Sequence, residues 1–155
     1  VITPNCPNIF DEVPVDCIGS VFEDKGSRLG ARRSFISEVQ RAWGDIGWTS
    51  GYTNAGVFVL SKEHSNIFDS VDGNYWLGNG SADVHMAYQA NKLGHKIHEL
   101  SYRWNHMTMF SEPWNGNPSR FDSHIIHYAG RGIFDGNNSD RLQQIKEDVR
   151  QLYDV

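Results

Sequence analysis

Three short stretches of this 155-residue sequence carry side chains that can do chemistry. The first, Asn54 to Leu60 (NAGVFVL), is an apolar, β-branched run behind a polar entrance, which predicts a fully buried strand. Gly56 lacks a Cβ and lets a ligand or another backbone come close, and the Asn54 side chain offers both donors and an acceptor. The stretch predicts either a strand end that holds a substrate or a simple turn into a core strand.

The second and third stretches place a carboxylate and an imidazole at the ends of predicted elements. Asp83 lies in the first turn of a predicted helix at 82–93, where the helix dipole favours a carboxylate, although a first-turn Asp is commonly only a cap. His127 lies near the end of a predicted strand at 123–130. A neutral imidazole there can bind a divalent metal, while exposed N–H groups nearby bond phosphate oxygens.

Alternating strand and helix patterns must position these residues, and they predict an α/β fold in a single domain spanning residues 1–155. The closing helix has Ser139 or Asn138 as its N-cap and carries an apolar stripe that includes Leu142 and Ile145. Further predicted strands lie at 17–23 and 97–100, a further helix at 35–43 behind Ser34, and a flexible basic loop at 24–33. The loop residues Arg28, Arg32 and Arg33 predict either a solvated surface or a grip on a phosphate or carboxylate.

Composition limits the possible partners. A net charge of -5 with few basic runs argues against nucleic acid or an anionic membrane as the main partner. No signal sequence or long apolar segment is visible, which predicts a soluble protein, cytoplasmic by default. Cys6 and Cys17 have no zinc-site spacing and can pair only if the fold brings them together. No metalloprotease, α/β-hydrolase, P-loop or dinucleotide-binding motif occurs.

Taken in order, the stretches resemble the second half of family 8 glycosyltransferases, which have the GT-A fold. The resemblance rests on Asn54-Ala55-Gly56-Val57, on Asp83 followed by Trp104-Asn105, and on 125–130 (IIHYAG). Val1-Ile2 and 8–11 (NIFD) match the family's segment after its Asp-x-Asp motif, and the likeness covers nearly the whole chain. It implies a GT-A-like mixed sheet flanked by helices. Because the sequence has no Asp-x-Asp, it also implies a C-terminal portion, incomplete at the N-terminus, without transfer activity of its own.

The resemblance implies a metal-dependent, retaining glycosyltransferase that moves a sugar from a nucleotide-sugar, such as a UDP-sugar, to a carbohydrate or other hydroxyl acceptor. His127 would complete the shell of Mn²⁺ or Mg²⁺, which this chain alone would bind weakly, and Asp83 would lie beside the anomeric centre. Donor contacts are implied for Asn54, Ala55, Gly56, Gly130 and Arg131. The family has a phosphate-binding lysine at the position of Ile133, so Arg131 would have to take over its role. Acceptor contacts are predicted for Trp48, Trp104, Asn105 and Trp114.

Two other classes of function stay open. A carbohydrate-binding module would use Trp48, Trp76, Trp104 and Trp114 as a sugar platform without chemistry. A structural or interaction domain would need none of these side chains. The enzyme hypothesis depends on the His127 imidazole and the segment around Asn54 meeting at neighbouring strand ends.

Overall fold

A computed structural model describes residues 1–130, 133–134 and 140–154 of the chain. Helices and strands alternate along it, which confirms the mixed α/β class that the sequence predicts. No helix among these residues is both long and apolar enough to cross a membrane. The helices are α1 (Leu29–Trp43), α2 (Ser81–Lys92) and α3 (Arg141–Tyr153), and the strands are β1 (Cys17–Phe22), β2 (Thr53–Val59) and β3 (Lys96–Glu99).

The chain divides into two compact units. The sheet unit comprises Ile9–Leu100 and contains the three strands with α1 and α2. The α3 unit comprises Val1–Asn8 and Ser101–Val155, and contains several 3-10 turns and α3. The single domain predicted for residues 1–155 stays a prediction.

The sheet unit is built on β1, the central strand of a three-stranded mixed sheet. β1 runs antiparallel to β2 and parallel to β3, with Gly19 opposite Val59 and Ile18 opposite Ile97. The prediction that β2 is fully buried is wrong, because β2 lies at the edge of this sheet and Gly56 is exposed. An edge strand has a sheet neighbour on one side only, so polar groups from outside the sheet can reach its backbone.

α1 and α2 bury apolar faces in one core cluster of this unit. Its buried members are Ile36 and Val39 from α1, Val84, Ala87 and Tyr88 from α2, and the loop residues Trp48, Tyr52 and Val71. The Trp43 ring meets Trp76, His85 and Tyr88 edge to face at centroid distances of 5.3 to 5.6 Å, a favoured arrangement for aromatic pairs. This core fixes the N-terminal end of α2 against the start of β2.

The helix predicted at 35–43 is confirmed, with its end at Trp43 before Gly44, but it begins earlier than predicted, and the flexible basic loop before it is wrong. A 3-10 turn at Gly26–Arg28 leads directly into α1 at Leu29, so Arg32 and Arg33 are helical. The arginines are held by the chain's own carboxylates at the end of β1, which orders the segment. Ser34 lies inside the helix, whose first residues include the good helix formers Leu, Ala and Arg.

The other helix predictions are correct in part. α2 ends as predicted, with Gly94 at φ +73 just beyond it. α3 begins behind Asp140, whose carboxylate accepts a hydrogen bond from the Leu142 N–H at 2.8 Å. Ser139 and Asn138, the predicted caps, lie outside the described residues. The apolar stripe is wrong at Leu142, which is 57% exposed, while the polar side chains of Gln144 and Asp148 are buried.

The strand predicted at 123–130 is wrong, because only two isolated bridges form there. Ile125 pairs with Ile2 and Ile126 pairs with His106. The 3-10 turns Tyr102–Trp104 and Thr108–Ser111 enclose His106, so its segment has too few extended residues to continue a ladder. The consequence is an irregular backbone around His127, tied by single hydrogen bonds such as His127 N–H to His106 O at 2.9 Å.

His106 makes the stability of the α3 unit depend on pH. Its ring is fully buried, with Nδ1 2.6 Å from Ser123 Oγ and Nε2 2.9 Å from Ser111 Oγ. Burial, aided by the nearby Arg120, lowers the pKa of His106 to about 4. The unfolded chain binds this proton below about pH 6.5, whereas the folded chain does so only near pH 4, so the stabilisation is complete above pH 6.5 and is lost on acidification.

Between pH 7 and pH 5 we expect the free energy of unfolding to fall by about 2 kcal/mol through this residue. Urea denaturation at the two pH values measures the fall. The variant His106→Gln should show a smaller pH dependence, whereas the control His98→Gln, on β3, should keep it. An unchanged pH dependence in His106→Gln would contradict the assignment.

Candidate functional site

Two of the three chemically suggestive stretches meet at the start of β2. The Ala55 N–H donates to Asp83 Oδ1 at 2.8 Å, and the Gly56 N–H donates to Asn54 Oδ1 at the same distance. Asp83 is the third residue of α2, whose N-cap Gly80 adopts φ +78. The structure therefore brings Asn54, Ala55, Gly56 and Asp83 together, in a cluster that we call the β2 entrance.

The surroundings of Asp83 raise the pKa of its carboxyl group above the ordinary value for an aspartate. Burial raises the pKa of Asp83, and the Glu23 carboxylate adds to the rise. The Ala55 N–H, Arg32 and Arg28 act in the opposite direction, because each stabilises the negative charge. The result is a half-buried carboxyl group, held by one backbone donor, that can exchange hydrogen bonds with a polar ligand.

Glu23 contacts Asn54 beside the β2 entrance, and sequence reasoning missed it. Its side chain is fully buried and accepts from Arg28 Nη1 at 3.0 Å, Arg32 Nε at 2.5 Å and Asn54 Nδ2 at 2.6 Å. Hydrogen bonds in which the donor or the acceptor is charged are stronger than neutral ones, so Glu23 fixes both guanidiniums and the Asn54 amide. The only sequence signal was a carboxylate pair, Glu23 and Asp24, at the end of a predicted strand.

The basic cluster is thus occupied by carboxylates of its own chain. Arg28 and Arg32 bind Glu23, and Arg33 Nε donates to Asp24 Oδ2 at 2.7 Å. The side chains of Arg28 and Arg32 are only 24% and 19% exposed. A fully solvated surface is therefore wrong for these two residues.

The Tyr52 ring lies next to Arg32 of the basic cluster. Its hydroxyl is buried and has no hydrogen-bond partner among the described residues. Burial raises the pKa of Tyr52, and the Arg32 guanidinium lies 5.0 Å from the centroid of its ring. A Cβ at Gly80 would lie 2.4 Å from Tyr52 Oη, so only glycine fits between this hydroxyl and α2. The approach of Tyr52 therefore determines how closely the first turn of α2 packs.

In the α3 unit, Asn105 orients the imidazole of His127. His127 Nδ1 lies 2.7 Å from Asn105 Oδ1, and because an amide oxygen only accepts, Nδ1 carries the proton and Nε2 carries the lone pair. Metal-binding histidines are commonly held in this way. Asn105 is fully buried and contacts His127, and its burial argues against the predicted contact with an acceptor.

The described residues do not form a complete metal site. Within 1–130, 133–134 and 140–154, no group of three or more His, Cys, Asp or Glu side chains can hold a metal ion. His127 is an oriented imidazole that offers one ligand at most. Binding of Mn²⁺ or Mg²⁺ stays a prediction.

Burial also argues against two of the predicted acceptor tryptophans. Trp48 is 4% exposed, belongs to the core cluster and donates its indole N–H to Ser50 O at 2.8 Å. Trp104 is 2% exposed and packs on His124, with ring centroids 4.5 Å apart. Trp114 is 42% exposed and donates its indole N–H to Met109 O at 3.0 Å, so its ring has a solvent-facing part. A sugar platform that needs Trp48 and Trp104 is therefore not supported.

The remaining predicted site residues lie in the α3 unit or outside the described residues. Gly130 has φ +61, and its carbonyl accepts from Arg141 Nη1 at 2.8 Å. Its predicted phosphate contact stays a prediction, and Arg131 lies outside the described residues. Because His127 and Asn54 belong to different units, their predicted meeting also stays a prediction.

No protein-family model, curated protein or solved structure matches this chain.

Proposed function

We propose that this chain is part of a metal-dependent, retaining glycosyltransferase with a GT-A-like fold, which transfers a sugar from a nucleotide-sugar to a hydroxyl acceptor. The hydrogen bond from the Ala55 N–H to Asp83 Oδ1 carries the proposal. It joins a half-buried carboxyl group to the backbone of β2 beside the exposed Gly56, and small-molecule sites are built from such convergent polar groups. The mixed sheet with helices supports the fold part of the proposal.

Three residues of the β2 entrance, Asp83, Gly56 and Asn54, have further roles in this proposal. Asp83 accepts hydrogen bonds from sugar hydroxyls, and its charge stabilises positive charge that develops at the anomeric carbon. Gly56 allows the sugar to approach the backbone, since no Cβ stands in the way. Asn54 contributes through its backbone and by shaping the strand end, because its side chain is engaged by Glu23 and by the Gly56 N–H.

A divalent metal would neutralise the diphosphate leaving group. In this proposal His127 is one ligand, and the carboxylates that complete the shell lie beyond the described residues. The chain alone should accordingly bind Mn²⁺ weakly and catalyse no transfer. Tight Mn²⁺ binding together with turnover of a nucleotide-sugar by this chain would contradict that expectation.

The variant Asp83→Asn tests the carboxylate role. The asparagine keeps an acceptor for the Ala55 N–H but loses the charge, so we expect affinity for UDP-glucose to fall roughly tenfold, the effect of losing one hydrogen bond to a charged group. The measurement is a titration of the ¹⁵N-labelled chain with UDP-glucose, followed at the amides of Ala55 and Gly56. The control is Asp16→Asn, an exposed carboxylate of the same unit that pairs with Lys96.

Equal affinities for the wild type and Asp83→Asn would refute the role of Asp83. A chain that responds to free oligosaccharides and ignores UDP-glucose would instead support a carbohydrate-binding module. If His127→Ala and the wild type respond equally to UDP-glucose in the presence of Mn²⁺, His127 is not a metal ligand.

A further inference from the structure

The charged groups at the β2 entrance and beside it balance one another. Two guanidiniums, Arg28 and Arg32, face two carboxyl groups, Glu23 and Asp83. Glu23 contacts both arginines directly, and it also holds the Asn54 amide at 2.6 Å. Guanidinium groups are the protein's best receptors for a carboxylate, and here Glu23 already occupies them.

We propose that Glu23 determines which class of sugar the β2 entrance takes: by neutralising Arg28 and Arg32 and positioning Asn54, it suits the site to an uncharged hexose and excludes a uronic acid. This inference rests on the proposed sugar site at Asp83. Both arginine side chains are partly exposed, and both act electrostatically on Asp83, so the charge of a ligand bound at Asp83 interacts with them as well. A sugar carboxylate would have to displace Glu23, a buried carboxylate with three donors, and would leave it without those partners.

The charges of Glu23, Arg28 and Arg32 also act on Asp83. The pKa of Asp83 therefore reports on them without a ligand. Glu23 raises the pKa of Asp83, and Arg28 and Arg32 lower it. Replacing Glu23 by a neutral isostere removes the raising charge and leaves both guanidiniums in place. The pKa of Asp83 should therefore decrease in Glu23→Gln and increase in Arg32→Gln.

The first experiment uses the unliganded chain. The side-chain carboxyl of Asp83 is titrated by ¹³C NMR, and the side-chain amide of Asn54 is followed by ¹⁵N NMR. Glu23→Gln should lower the pKa of Asp83 and shift the Asn54 amide resonances. The matched control is Asp24→Asn, a neighbouring buried carboxylate that binds Arg33 and the N–H groups of Gly51 and Tyr52. It should leave the Asn54 side chain unchanged.

The second experiment compares two simple probes, glucose and glucuronic acid, at the backbone amides of Ala55 and Gly56. The ratio of glucuronate affinity to glucose affinity should rise roughly tenfold in Glu23→Gln, the size of one charge-assisted hydrogen bond, and stay constant in Asp24→Asn. An unchanged ratio in Glu23→Gln would overturn the inference. Equal affinities of the wild-type chain for glucuronate and glucose would also overturn it.

Failure of the inference can be told from failure of the proposed function. If the wild type does not respond to UDP-glucose, the proposed glycosyltransferase function fails. The ratio of glucuronate affinity to glucose affinity instead tests the role of Glu23. Should Glu23→Gln fail to fold, Arg32→Gln takes its place, since it should raise the pKa of Asp83 while Glu23 stays buried. The relative affinities of the wild type for glucuronate and glucose then decide the inference, and equal affinities would overturn it.

Discussion

Asp148→Ala is expected to lower the free energy of unfolding of the α3 unit by about 3–5 kcal/mol, because it breaks a buried ion pair by removing one partner. Asp148 accepts from Arg120 Nε at 2.7 Å and from Arg120 Nη2 at 2.8 Å, and the Tyr128 hydroxyl also donates to it. Both charged side chains are largely buried. The substitution leaves the guanidinium in the same surroundings without this carboxylate.

Urea denaturation followed by tryptophan fluorescence measures the loss, with Trp104 and Trp114 as reporters in the α3 unit. Glu147→Ala is the matched control, because this exposed neighbour on α3 interacts with Gln143. Its loss should stay below about 1 kcal/mol, as for exposed pairs in general. Equal losses in the two variants would show that the Arg120 pair does not stabilise the unit.

Gly80→Ala is expected to destabilise the sheet unit by about 2–4 kcal/mol, the sum of a left-handed backbone cost and overpacking. Gly80 has φ +78, and a Cβ there would lie 2.4 Å from Tyr52 Oη and 2.5 Å from Val84 Cγ2. The first turn of α2 must then move away from Tyr52, and Asp83 moves with it. We therefore expect the Ala55 amide resonance to shift as the hydrogen bond to Asp83 lengthens.

Gly94→Ala separates the two costs. Gly94 has a similar φ of +73, but a Cβ there would meet nothing within 4 Å, so only the backbone cost of about 1–2 kcal/mol applies. Adding Tyr52→Phe to Gly80→Ala removes one of the two close contacts and should recover part of the loss. Chemical denaturation of the four variants, including Tyr52→Phe alone, gives the coupling. Equal losses for Gly80→Ala and Gly94→Ala would contradict a steric role for Tyr52.

Local patterns in the sequence determined the α/β class, β1, β3, and α2 with its C-terminal glycine. Such features depend on residues within a few positions of one another, as Gly94 does on the helix just before it. The resemblance assigned Asp83 and the segment around Asn54 to the same donor sugar. No local pattern predicted the hydrogen bond between Ala55 and Asp83, because these residues are 28 positions apart. The residue types suggested a site, and the fold supplied the contact.

Tertiary structure alone decided which polar groups are satisfied inside the protein. Glu23 and Asn54 are 31 positions apart, and Arg120 and Asp148 are 28 apart, so no local pattern could pair them. The same holds for the edge position of β2 and for the burial of Trp48 and Trp104, which depend on what packs against them. A buried carboxylate needs its donors in three dimensions, and a sequence reports only that the donors exist.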